Sequence, residues 1–223
     1  MKVMLLAAGR GERLRPLTDT TPKPLLKINK ASLITRHLNR LHAADFFDIV
    51  INVSHLGEKI IRHVGDGPRY SSEKQPLEAA GGVCLALERE MLDKHKAFAL
   101  INADIFCDYD YSRLRAGAKT VSTTKSCHLI LAANPPEHPQ GDFSLSANGV
   151  LLPPHGDTYT YTGIGVFHPS LFEKLKAEEK HKLLPILQAQ IKKQKATAEI
   201  HDGLWHDTGT PAALARARKH WKI

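Results

Sequence analysis

Short aliphatic runs alternate with amphipathic stretches along most of this chain. Val3–Leu6 is a continuous apolar run of strand length, suited to a strand buried on both faces. Ser32 is a predicted N-cap, and Leu33, Ile34, Leu38 and Leu41 then share one stripe, so the spacing predicts a helix from Leu33 to about Ala44. Phe47–Asn52 reads as the next strand. Strand, helix and strand in close succession predict a parallel βαβ unit. Leu56–Val64 predicts a short helix stopped by Gly65-Asp66-Gly67-Pro68. Val83, Leu85, Leu87 and Met91 mark a helix after Gly81-Gly82. Ala97–Asp104 and Cys127–Ala133 read as strands, and Asn148-Gly149 as a hairpin turn between Phe143–Ser146 and Val150–Leu152. Thr158–Phe167 alternates loosely and predicts a further sheet element. Leu183–Gln194 is a predicted helix with Pro185 in its first turn, Thr197–His201 a short strand, and Thr210-Pro211 the cap and first residue of a last helix.

These elements predict an α/β fold, a Rossmann-like, mostly parallel sheet flanked by helices with a small β-rich lobe from the middle of the chain. They fit a single domain over 1–223, with halves 1–110 and 111–223. The length of 223 residues, 42% hydrophobic and 24% charged, agrees with that. No apolar run approaches a membrane span. The formal charge of +8 favours anionic partners. Only 6% of residues are aromatic, and no basic run is interleaved with stacking rings, so no nucleic-acid partner is expected. Cys84, Cys107 and Cys127 are odd in number and lack a Cys-x-x-Cys pair, which predicts neither a disulfide framework nor a zinc site. A reducing cytoplasm is the expected compartment. The 13 histidines are scattered, and none is assigned to a metal.

The candidate chemistry begins where the first strand ends. Ala7-Ala8-Gly9 are small and let a ligand approach the backbone. Gly9-Arg10-Gly11-Glu12-Arg13 then joins two glycines to cations, a combination suited to polyphosphate. It is not the dinucleotide fingerprint, which needs a third glycine, nor a P-loop, which needs Gly-Lys-Ser/Thr. Arg13 offers a fork of donors for phosphate oxygens. Pro22-Lys23-Pro24 holds Lys23 on a stiffened backbone, useful for a cation that stabilises charge at a reacting phosphorus. Gln75-Pro76-Leu77-Glu78-Ala79-Ala80-Gly81-Gly82 places small residues at a helix start, with room for a flat ring and free N–H donors, and Glu78 can accept from a base edge. Ala97–Asp104 ends in a carboxylate at a strand tip, where Mg²⁺ is commonly held with phosphate oxygens. Asp108 and Asp110 read as caps for a helix near Tyr111–Leu114. The tail Arg216, Arg218, Lys219 and Lys222 reads as cations at a helix C-terminus.

Gly9-Arg10-Gly11-Glu12-Arg13-Leu14-Arg15-Pro16 followed by Pro22-Lys23-Pro24 resembles the signature of the sugar-1-phosphate nucleotidyltransferases. Asn102-Ala103-Asp104 and Trp205-His206-Asp207-Thr208-Gly209-Thr210 are similar to two further family segments, so the likeness runs from Gly9 to Thr210. The family carries Leu-Gly-Thr-Ala-Gly where this chain has Leu77-Glu78-Ala79-Ala80-Gly81. Within the family, Leu77-Glu78 and Asn134-Pro135 through Gly141-Asp142-Phe143 resemble the branch that joins UTP to N-acetylmuramate α-1-phosphate in peptidoglycan recycling.

The resemblance implies UTP and a sugar 1-phosphate as substrates, Mg²⁺ as cofactor and pyrophosphate as a product. It implies catalytic roles for Arg13, Lys23, Asp104 and Asp207, with Asp104 and Asp207 as metal ligands. It implies nucleotide contacts at Ala7, Ala8, Gly9, Gly11, Glu12, Arg13, Lys23, Glu78, Ala80 and Gly81, and sugar contacts at Asn102, Gly141 and Asp142, with His138 a candidate for the lactyl carboxylate. Mannose-1-phosphate guanylyltransferase, glucose-1-phosphate uridylyl- or thymidylyltransferase, and a non-catalytic nucleotide-binding subunit of the same fold are the alternatives. The sequence does not give the oligomeric state.

Overall fold

Val3, Met4 and Leu5 are fully buried, which is why so short an apolar run can sit in the middle of the sheet. The computed structural model describes residues 1–220; Lys222 of the expected basic tail lies outside them. In chain order come β1 (Val3–Leu6), α1 (Leu17–Thr20), β2 (Lys27–Ile28), β3 (Ala31–Ser32), α2 (Leu33–Ala43), β4 (Ile49–Val53) and α3 (Gly57–Val64). Next are β5 (Arg69–Ser72), α4 (Glu78–Glu88), β6 (Phe98–Asn102), β7 (Ile105–Cys107), α5 (Leu114–Thr120) and β8 (Cys127–Ala132). The rest is β9 (Ser144–Leu145), β10 (Leu151–Leu152), β11 (Thr160–Phe167), α6 (Leu183–Lys192), β12 (Ala196–His201), β13 (Trp205–Asp207) and α7 (Pro211–His220).

Seven strands form one sheet in the order β12-β8-β11-β6-β1-β4-β5. β1 pairs in parallel with β4 and β6, β4 with β5, and β12 with β8. β11 alone runs antiparallel, to β6 and to β8. The C-terminal ends of β1, β4, β6, β8 and β12 therefore open on one edge, the place where α/β sheets bind ligands. Alternation along β1 divides the core. Val3 and Leu5 face Ile34, Leu38 and Leu41 of α2, whereas Met4 joins Val83 and Leu87 of α4 and Leu187 and Ile191 of α6 on the other face. Each such aliphatic contributes about 1.5–3 kcal/mol on burial. A third cluster, Leu14, Leu26, Leu33, Phe106 and Leu214, seats α7 against the amino-terminal segment.

Ser32 caps α2 as expected, accepting from the Thr35 N–H at 3.2 Å. Other boundaries differ. α4 begins at Glu78, not after Gly82, because Gly81 and Gly82 pack inside its first turns. β5 carries Arg-Tyr-Ser-Ser and was not expected; an edge strand tolerates polar residues. The stretch expected as Thr158–Phe167 supplies β11, which lies within the main sheet. The short β9–β10 hairpin lies apart from it. Trp205–Asp207 is a strand that pairs with β7.

His37 on α2 is 3% exposed and ties α2 to the β7 segment. Its Nε2 donates to the Ile105 carbonyl at 3.0 Å, so a neutral ring accepts at Nδ1 from the Tyr111 hydroxyl at 2.7 Å. Burial lowers its pKa from 6.5 to about 4, against the Ile105 hydrogen bond, which raises it. The unfolded chain therefore binds the extra proton first. Stability is full above pH 6.5 and falls as pH drops toward 4, by on the order of 3 kcal/mol from this group. Urea unfolding across that range should show the slope, and His37→Gln, which keeps a donor and an acceptor, should flatten it.

Candidate active site

A cleft of about 830 Å³ opens at the C-terminal end of β1. One wall is the loop Ala7–Arg13, with Lys23 and Pro24 beside it. Asn52, Glu73, Asn102, Asp104 and Gly209 also line it, and Gln75, Pro76, Glu78, Ala79 and Lys180 complete the α4 side. Gly9 has nothing within 4 Å of where a Cβ would stand, which leaves its backbone bare to the cleft. Gly11 has φ +64°, and a Cβ there would meet Thr18 Cγ2 at 2.9 Å. The Thr18 hydroxyl donates to the Gly11 carbonyl at 2.8 Å and fixes the turn. The following 3₁₀ turn, Glu12–Leu14, carries Arg13, whose side chain is mostly exposed.

Lys23 opens a second 3₁₀ turn, Lys23–Leu25, between its two prolines, and is 5% exposed. Its Nζ donates to Asp104 Oδ2 at 2.5 Å and lies 3.6 Å from Asp207 Oδ1. Arg13 lies 3.8 Å from Asp207 Oδ2. Two cations thus face two carboxylates, the pairing that an ammonium so far from water requires. The meeting is set by register. Asp207 is paired with Ile105 across the β13–β7 ribbon, which places it beside Asp104. Thr208 donates its hydroxyl to the Asp104 carbonyl at 2.6 Å and locks the two segments. Gly209 stands close to this group: a Cβ there would lie 2.5 Å from the end of the exposed Arg13 side chain, which would have to shift. The half-exposed oxygens of Asp104 and Asp207 are hard donors, few in number and open on one side. They fit a divalent cation that keeps waters and takes further oxygens from a ligand.

Among the described residues a second acidic and histidine-bearing cluster, Cys107, Asp108 and His201, stands elsewhere. His201 Nε2 donates to Asp108 at 2.9 Å, so Asp108 ties β7 to β12 and does not cap a helix. Asp110 does cap, accepting from the Ser112 N–H at 2.9 Å. Burial pushes the Cys107 thiol up to about 12.

Two groups of expected contacts are placed differently. The N–H groups of Ala80 and Gly81 donate to the His181 carbonyl at 3.0 and 3.2 Å, and neither residue lines the cleft. They are therefore not free donors at a helix start. Gly81 instead makes room for the chain crossing it, since a Cβ would stand 2.5 Å from the Glu179 carbonyl. Gly141 and Asp142 also lie off the cleft. Asp142 accepts from His138 Nε2 at 3.0 Å and from the Tyr161 N–H at 2.8 Å, while Gly141 packs against Asn134. Asn134, His138 and Asp142 thus hold the proline-rich loop together.

Residues 2–222 match the sequence profile of the family described as Nucleotidyl transferase. The N-acetylmuramate alpha-1-phosphate uridylyltransferase of Neisseria meningitidis is 40% identical, over 98% of this chain and 97% of its own length.

The chain belongs to the nucleotidyl transferase family.

A mannose-1-phosphate guanyltransferase of Schizosaccharomyces pombe is 28% identical over 99% of this chain and 66% of its own length. HddC from Yersinia pseudotuberculosis, solved with GMP-PN, superposes with a TM-score of 0.76 at 18% identity, covering 99% of both chains. A Bacillus anthracis structure described as a glucose-1-phosphate thymidylyltransferase superposes at 0.80 and 19% identity, over 99% of this chain and 95% of that one. These two likenesses concern the fold.

In this nucleotidyl transferase the floor of the cleft is a polar chain that the sequence reading did not find. The Ala7 N–H donates to Asn52 Oδ1 at 2.7 Å, Asn52 donates to Glu73 Oε1 at 2.6 Å, and the Leu77 N–H donates to Glu73 Oε2 at 2.9 Å. Burial raises the Glu73 pKa, against the hydrogen bonds from Leu77 and Asn52. The chain joins the loop after β1 to the segment before α4. A polar Asn52 closing an otherwise apolar strand was the one available signal. Asn52→Leu leaves the Ala7 N–H and one Glu73 oxygen unpaired and should cost about 2–4 kcal/mol, read as a lower urea midpoint.

Proposed function

We propose that this enzyme transfers a uridylyl group from UTP to N-acetylmuramic acid α-1-phosphate, giving UDP-N-acetylmuramic acid and pyrophosphate. The single supporting observation is near-complete coverage by the Neisseria uridylyltransferase at 40% identity. The reading is also supported by Arg13, Lys23 and Asp104 in the cleft lining, with Asp207 3.6 Å from Lys23 and 3.8 Å from Arg13. The guanyltransferase likeness keeps GTP with mannose 1-phosphate as a second reading, at lower identity.

The attacking oxygen belongs to a phosphate that is already ionised, so the step needs no general base. The chain's work is to align the sugar phosphate with the α-phosphorus and to neutralise charge. The Ala7–Arg13 loop holds the triphosphate, with Gly9 and Gly11 giving backbone access, and Arg13 taking the β- and γ-phosphates. Lys23 meets the α-phosphate and the charge that develops there. Asp104 and Asp207 would hold Mg²⁺, which when bound draws charge from the phosphate oxygens. Asn102 reaches the sugar from the tip of β6. Gly141 and Asp142 support the acceptor side through their loop rather than by direct contact. The product would feed reuse of peptidoglycan sugars. Three unpaired cysteines suit a reducing cytoplasm, and no helix among the described residues is long and apolar enough to cross a membrane.

Steady-state rates for UTP, CTP, GTP, ATP and dTTP against the 1-phosphates of N-acetylmuramate, N-acetylglucosamine, glucose and mannose test the assignment. UTP with N-acetylmuramate 1-phosphate should give the highest kcat/KM, and a preference for GTP with mannose 1-phosphate would overturn it. Asp104→Asn should lower kcat about 10²–10³-fold at ordinary Mg²⁺, whereas near-normal turnover would remove Asp104 from the chemistry.

A further inference from the structure

Residues 173–182 cross the start of α4 before entering α6. The His181 N–H donates to the Leu77 carbonyl at 3.0 Å, and the His181 carbonyl takes the N–H groups of Ala80 and Gly81. The backbone of Glu179 approaches Gly81 so closely that a Cβ would not fit. This crossing removes the amide donors that a ligand at the helix start would otherwise meet. It also delivers a replacement: Lys180, between those two pinned residues, lines the cleft beside Glu78 and Ala79.

Lys180 and Glu78 have no side-chain hydrogen bond or ion pair among the described residues, with each other or with a third group. Glu179, the acidic neighbour of Lys180, instead faces Lys176 at 3.9 Å and His181 at 3.8 Å. Glu78 holds φ at +63°, a backbone that residues other than glycine, asparagine and aspartate rarely adopt. One free donor and one free acceptor therefore border the same cleft, on segments fixed to each other through backbone hydrogen bonds.

We propose that Lys180 and Glu78 together read the edge of the nucleobase, Lys180 donating to a ring carbonyl oxygen and Glu78 accepting from the adjacent ring N–H. The inference rests on the reading that this cleft takes a nucleoside triphosphate. Uracil and guanine present a carbonyl oxygen beside a ring N–H. Cytosine and adenine present an amino group beside a bare ring nitrogen, the reverse pattern. The pair therefore selects keto bases. An amino base sets its N–H₂ against an ammonium and its lone pair against a carboxylate, leaving four polar groups mismatched.

The test is kcat/KM for UTP, CTP, GTP and ATP with the best sugar 1-phosphate, on the full chain and its variants. Both side chains lie at the cleft surface, and thermal unfolding confirms that each variant folds. Lys180→Ala should raise KM for the keto nucleotide about 10–100-fold, the range for one charged hydrogen bond, and leave the amino nucleotide nearly unmoved. Lys180→Arg, which keeps a donor, should retain most of the selectivity. The exchanged pair Glu78→Lys with Lys180→Glu should shift preference from UTP toward CTP. An unchanged UTP-to-CTP ratio in Lys180→Ala and in Glu78→Ala overturns the proposal. A wild-type preference for GTP would overturn the uridylyl assignment but leave base reading to be decided by the GTP-to-ATP ratio in the same variants.

Discussion

A lysine nine-tenths shielded from water and pointed at two carboxylates is the constraint around which this molecule is arranged. An ammonium in that position is tolerable only with close counter-charges, and removing either partner leaves an uncompensated ion. Its partners come from remote parts of the chain. Lys23 follows the amino-terminal loop, Asp104 follows β6, the central strand of the seven, and Asp207 arrives some hundred residues later, where β13 pairs with β7. The sheet order, the β13–β7 register and the Thr208 hydrogen bond all serve this single meeting. A one-residue slip of β13 would turn Asp207 to the opposite face of its ribbon and leave Lys23 with one partner.

A second network does the equivalent work on the other side of the cleft. Asn52 carries no charge, burial raises the Glu73 pKa, and both accept from main-chain N–H groups. They hold the loop after β1 at a set distance from the start of α4. Gly82 lies directly above them, and a Cβ there would stand 2.7 Å from Glu73 and 2.8 Å from Asn52. The glycine pair of α4 is thus explained by neighbours beneath and across the helix, with no ligand needed to account for it.

Much of this is legible in the sequence. The apolar runs gave the central strands, because strands buried on both faces must be continuously aliphatic. Gly11 and the proline-flanked Lys23 could be read because backbone restriction is a local property of residue type. The convergence of Asp104 with Asp207 was reached through likeness to known sequences, since no local rule pairs residues so far apart. What failed was the environment of each polar group. Whether the Ala80 and Gly81 amides are free depends on a segment a hundred residues away, and whether Asp142 is available depends on His138 and on Tyr161. The β5 strand stayed hidden because an edge position asks for little apolar surface. Lys180 was invisible for a similar reason: one lysine in a lysine-rich stretch carries no local mark of where the chain will cross.

β6 is hydrogen-bonded to β1 on one side and to β11 on the other, so residues before and after position 110 share a single ladder. Opening the molecule like a pair of jaws would mean tearing that ladder apart. Fitting substrates of different bulk must fall to the margins: the amino-terminal loop, the crossing before α6 and the proline-rich turn. The bed on which the reactants rest stays still while its borders adapt, so acceptor preference can drift by changes at the border without disturbing the charges underneath.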